Sequence, residues 1–92
     1  METKEFGPQE GYDFLNRWTT HTESYGVRFA GKDVIKVSVL LKDGRPASAV
    51  VHYQTDNGFG FENINLEGRL RDKPISEHGF VFMQTLTRRG RE

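Results

Sequence analysis

Apolar residues recur along this chain in two rhythms, and the change from one to the other divides it into a helical part and a sheet part. Tyr12, Leu15 and Trp18, with Phe14 beside Trp18, are spaced by three and four residues, which predicts one amphipathic helix over about residues 8–20. Pro8 suits its first turn, and Glu10 and Asp13 suit the positive end of its dipole. Gly11 weakens it slightly, and the run Thr19-Thr20-His21-Thr22 ends it, because hydroxyl and β-branched side chains compete with helical geometry. Residues 1–7 are polar and are expected to be loose, as are residues 88–92.

After residue 24 the rhythm becomes two. Tyr25, Val27 and Phe29 alternate with polar neighbours until Gly31-Lys32-Asp33 breaks the run. Ile35, Val37, Val39 and Leu41 alternate with Lys36, Ser38 and Lys42, and Ala47, Ala49, Val51 and Tyr53 resume the pattern beyond Asp43-Gly44. A two-residue Asp43-Gly44 loop sets Val39 against Ser48. A three-residue Lys42-Asp43-Gly44 loop sets Val39 against Ala47, Val37 against Ala49 and Ile35 against Val51, so the longer loop is the expectation. The next turn holds Asp56-Asn57-Gly58. A two-residue Asn57-Gly58 turn sends Phe59 and Phe61 away from the face of Val51, whereas a three-residue loop ending at Gly58 turns both inward. The apolar parity changes between Phe61 and Ile64 in either case, which points to a bulge near Glu62-Asn63.

Residues 67–78 form a polar connection containing Pro74, and Phe80, Val81, Phe82, Met83 and Leu86 predict a last strand over about 79–87. The economical architecture for all 92 residues is a single α+β domain in two layers. An N-terminal amphipathic helix packs on a four- to five-stranded antiparallel β-meander. One helix covers one face of a sheet, so aromatic side chains left on the other face need a second copy or a target.

The string Gly58-Phe59-Gly60-Phe61 partly matches the aromatic ribonucleoprotein signature, in which a basic residue precedes Gly, an aromatic, Gly or Ala, and a second aromatic. Such aromatics stack on bases at about 1–3 kcal/mol each. The stretch Ala49–Phe61, AVVHYQTDNGFGF, resembles the first hairpin of cold-shock domains, and Phe80-Val81-Phe82 resembles their third aromatic strand. The resemblance implies single-stranded nucleic-acid binding through Phe59 and Phe61. It covers about a quarter of the chain, and the strand order is permuted. Asn57 stands where the signature has a basic residue, Glu62 where it has an aliphatic one, and His52 where cold-shock domains have tryptophan.

Composition narrows the choice. Lysine plus arginine equals aspartate plus glutamate, 13 each, so the whole molecule has no net field to steer a polyanion. The charge is unevenly placed, at −3 over residues 1–23 and +3 over residues 68–92, which either holds the two ends together or marks a basic patch. There is no cysteine and no apolar run of membrane-spanning length, and a cytoplasmic location without membrane contact is the expectation. His21, His52 and His78 are widely spaced, so neither metal nor other cofactor is expected. His52 with Asp56 makes a base and an orienter, but no nucleophile or phosphate loop accompanies them, and an enzyme is not expected. The reading is a small non-enzymatic binding protein, of the kind phages and mobile elements encode as inhibitors, that occludes a protein partner or pairs as a homodimer. Its contact residues are Phe59, Phe61, His52, Arg69, Arg71, Arg88 and Arg89; the nucleic-acid alternative uses the same set.

Overall fold

The computed structural model describes residues 1–20, 25–76 and 78–80. Its architecture is α+β: an N-terminal helix, α1 (Pro8–Trp18), lies against an antiparallel sheet of β1 (Glu2–Phe6), β2 (Asp33–Lys42), β3 (Arg45–Thr55) and β4 (Gly58–Asn65) in the order β1-β2-β3-β4. A single turn, α2 (Tyr25–Arg28), sits between α1 and β2. Tyr12, Leu15, Tyr25 and Phe29 from the helical side meet Val37, Val39, Ala49, Val51, Ile64 and Leu66 from the inner sheet face in one core.

The N-terminal residues expected to be loose are instead strand β1, with Lys4 opposite Val39 and Phe6 opposite Val37. Their polarity is that of an edge strand, and Phe6 anchors them by stacking on Phe14 of α1, ring centroids 4.9 Å apart. Helix α1 begins with Pro8 behind Gly7 and ends where the Thr19 N–H donates to Leu15 O. Gly11 faces Val37 so closely that a Cβ there would lie 2.5 Å from the Val37 Cβ. The glycine is what lets the helix settle on β2.

Tyr25 and Phe29 are not on a strand. They stand one helical turn apart, both buried, while Val27 is 73% exposed, and Asn16 of α1 accepts the Tyr25 N–H at 3.3 Å. A spacing of four satisfies both rhythms, and packing on α1 selects the helical one.

The β2–β3 turn is the two-residue Asp43-Gly44 loop, with Lys42 paired to Arg45 and both turn residues at positive φ, 54° and 78°. The three-residue loop and its pairs are therefore replaced. A bulge at Ala47, between the Leu41–Pro46 and Leu40–Ser48 pairs, shifts the register so that Val39 meets Ala49 and Val37 meets Val51. A second irregularity leaves Ile35 unpaired between Val34–Tyr53 and Lys36–His52. Ile35 thereby moves out of the core row to 44% exposure, and Val34 packs inward instead.

The β3–β4 turn is also two residues, Asp56-Asn57, a loop that ends one position before either expected one. No bulge interrupts β4: Val51 pairs with Glu62 and His52 with Phe61 in unbroken register. Beyond β4 the chain runs past the C-terminal end of α1, where Thr19 bridges Leu70 and the Ile75 N–H donates to Arg17 O at 2.9 Å. Residues 78–80 are helical, so Phe80 does not open a strand; the rest of the expected strand, with the tail from 88 to 92, lies outside the described residues.

Candidate functional site

The register of the second hairpin decides where its aromatics go. Val51 points into the core, so the next residue, His52, points to the opposite face, and its partner Phe61 emerges beside it. Phe59 lies two residues away on the same face, opposite Gln54. Phe59 is 82% exposed and Phe61 65%. Both helices lie on the inner face, so among the described residues nothing covers these rings.

The two glycines between them have separate structural reasons. Gly58 has φ of 128°, a conformation L side chains rarely adopt, and carries the chain out of the Asp56-Asn57 turn. The Thr55 side chain braces that turn, accepting the Asn57 N–H at 3.3 Å. Gly60 is covered by its cross-strand partner on the inner face: a Cβ would lie 2.6 Å from Cε2 of Tyr53. Lys32 Nζ in turn sits 4.5 Å from the centre of the Tyr53 ring. Glu62 also points inward, where Arg28 of α2 and Lys32 pair with its carboxylate. The departure from an aliphatic residue at position 62 is thus an ion pair linking the sheet to α2, and it leaves no charge between Phe59 and Phe61 on the outer face.

His52 is half-buried in this face, with Nε2 3.2 Å from Ser38 Oγ of β2. Among the described residues no carboxylate contacts its other ring nitrogen. The expected pairing with Asp56 does not form. Asp56 instead lines an open hollow of 540 Å³ with Gly31, Lys32, Asp33 and Tyr53, and His52 stands outside it. Among the described residues no three histidine or acidic side chains are gathered to hold a metal ion.

The five described members of the expected contact set fall into two groups. Phe59, Phe61 and His52 share the outer face toward the Thr55 end of β3. Arg69 and Arg71 lie at the other end of the molecule, where Arg45 at the start of β3 donates to the Arg71 and Asp72 carbonyls at 3.1 and 2.8 Å. Arg71 is a strut: its Nε donates to Thr19 O at 3.1 Å and its N–H to Trp18 O at 2.8 Å. Arg69 O accepts the Thr20 N–H at 2.8 Å, and its side chain is exposed. Arg88 and Arg89 lie outside the described residues.

Lys36 enters the picture only through the structure. It lies across from His52, with its Nζ 3.0 Å from Glu5 of β1. The Ser38–His52 contact was equally hidden, because both depend on the bulge at Ala47. Comparison with family models, with curated proteins and with solved structures finds no match. The described helices include none long and apolar enough to cross a membrane.

Proposed function

We propose that this chain is a non-catalytic protein-binding module whose contact surface is the outer face of the β3–β4 hairpin, and that it acts by occluding the surface of its partner. The observation carrying this reading is the side-by-side exposure of Phe59 and Phe61 on a strand whose own glycines and inward ion pair hold it in place. Burying one such ring on association contributes about 1.5–3 kcal/mol, and aromatic anchors fixed on a rigid element lose little entropy on binding. His52 and Ser38 supply a polar margin to the patch. The partner is a protein, a second copy included.

Single-stranded nucleic acid is the second reading, supported by the exposure of the same two rings. It needs cations beside them to hold phosphates. Lys36, the lysine across from His52, is engaged by Glu5, and Lys42 and the described arginines of the expected set stand toward the far end of β3, which favours protein. Two experiments test the choice. A photo-crosslinking residue at position 61 is expected to join a protein in the natural host, while the same residue at Val27, on the helical side, does not. Oligonucleotide binding that falls steeply with salt and disappears in Phe59→Ala would instead establish the nucleic-acid reading.

A further inference from the structure

We propose that two copies of this chain join through the edge of β4 that no described residue pairs, antiparallel about a two-fold axis at Phe61, into one continuous eight-stranded sheet. The inference rests on the reading of the Phe59–Phe61 strand as protein-binding, but it concerns the backbone edge of that strand, where the reading above concerns its face.

The backbone of β4 alternates. The Leu66 N–H donates to Ala47 O, and with the register unbroken the even-numbered residues from Gly58 to Leu66 bond toward β3. Phe59, Phe61, Asn63 and Asn65 therefore direct their N–H and C=O groups to the open side, where the described residues place no neighbour. An edge of this kind is a template for another strand unless charge, brevity or proline protects it. The opposite edge is protected: β1 is five residues long and carries Glu2, Lys4 and Glu5. Strand β4 has eight residues with Glu62 as its single charge, and Arg28 and Lys32 hold that charge on the inner face. The chain has no net charge, so two copies approach without long-range repulsion.

Symmetry and side chains select the register. Only pairings of odd with odd residues match outward donors to outward acceptors. Centring on Glu62 sets two carboxylates directly opposite each other, which is destabilising. Centring on Gly60 pairs only residues 58–62. Centring on Phe61 pairs residues 58–64, seven of the eight in β4, and places Glu62 opposite Gly60 of the second copy. Phe61 then faces Phe61 of the second copy, with each Phe59 on the diagonal and within aromatic reach. The outcome is a patch of four phenylalanines across the join, twice the contact surface of one chain.

The absence of cysteine makes the test direct. Sedimentation equilibrium of the full chain is expected to give twice the mass of one chain, with the dimer fraction rising with concentration. Asn63→Pro removes an outward N–H and leaves the β3–β4 bonds intact, so the variant is expected to be a folded monomer. Independently of that variant, Phe61→Cys is expected to oxidise to an interchain disulfide, because directly opposed hydrogen-bonded residues stand about 5.5 Å apart at Cα. Phe59→Cys, facing Asn63 of the second copy, stays reduced under the same conditions. A monomer at all concentrations, a dimer that persists in Asn63→Pro, or a dimer in which Phe61→Cys stays reduced overturns the proposal. So does a monomer with slow amide exchange at Phe61 and Asn63, which assigns the edge to residues 81–92 of the same chain. A monomer that still captures a different protein through position 61 overturns this inference and leaves the reading of the face intact. A dimer joined at position 61 whose face captures no other protein supports the inference and removes heterologous occlusion.

Discussion

Gly11 and Gly60 are both contact points, and they differ in what they touch. A Cβ at Gly11 meets Val37 at its Cβ and both Cγ atoms, on the second strand of a four-stranded sheet, and these short branches cannot swing aside. A Cβ at Gly60 meets the far edge of the Tyr53 ring, which can rotate away. Gly11→Ala gains up to about 1 kcal/mol of helix propensity and incurs about 1–3 kcal/mol of overpacking, so a net loss is expected. Gly60→Ala is expected to cost less, and urea unfolding of both variants checks the order. Neither role was legible along the chain. Gly11 read as a mild defect of the helix, because the residue it accommodates is 26 positions away in sequence. Tyr12, next to it, was legible as core, and burial pushes its phenol above the ordinary value of 10.0. In the unfolded chain that phenol ionises near pH 10, while in the fold it keeps its proton to higher pH. Its contribution to stability is therefore complete below pH 10 and is lost as pH rises through the folded value. Tyr12→Phe is expected to reduce the fall of stability above pH 10, measured as the denaturation midpoint across an alkaline series.

The elements were legible where one rhythm admits one answer, and the registers were not. Helix α1 and strands β2, β3 and β4 follow directly from spacing. The turns do not, because a bulge changes parity as effectively as one more loop residue. Taken alone, the Asp43-Gly44 turn opposes Val39 to Ser48, yet the bulge at Ala47 restores Val39 to Ala49 beyond the same two-residue turn. In the second hairpin the opposite error arises: the parity change between Phe61 and Ile64 points to a bulge at Glu62-Asn63, and the strand instead runs straight, leaving both phenylalanines outside. That outcome rests on Gly58, whose φ of 128° carries the strand out of the Asp56-Asn57 turn. Gly58→Ala is expected to cost about 1–3 kcal/mol through backbone strain. Nothing lies within 4 Å of the added methyl, so the loss is conformational rather than steric. Chemical shifts of the variant should change at the turn and along β4 while those of α1 stay in place.

At the scale of the whole molecule, the described residues that join the two ends do so through arginines on carbonyl oxygens and not through opposite charges. The segment after β4 returns to the C-terminal end of α1, and the arginines bond to carbonyl oxygens: Arg17 Nε to Ile75 O at 2.7 Å, Arg71 Nε to Thr19 O and Arg45 to Arg71 O. The last turn of a helix leaves carbonyls without partners, and a guanidinium answers them with directed donors. Arg71 is therefore structural, while Phe59 and Phe61 are exposed within the described chain, so stability and the proposed contact surface lie toward opposite ends of β3 and should separate on mutation. Arg71→Ala removes a charge-assisted bond, worth about 1.5–3 kcal/mol, and is expected to lower the denaturation midpoint while leaving crosslinking through position 61 unchanged at temperatures where the variant is folded. Phe59→Ser is expected to leave the unfolding free energy of the monomer within about 0.5 kcal/mol of the parent, as for an exposed substitution, while weakening partner capture. A Phe59→Ser protein that unfolds readily would show that its ring is covered in solution and remove it from the contact surface. Loss of capture in a folded Arg71→Ala would reunite the two groups and restore the basic residues to the site.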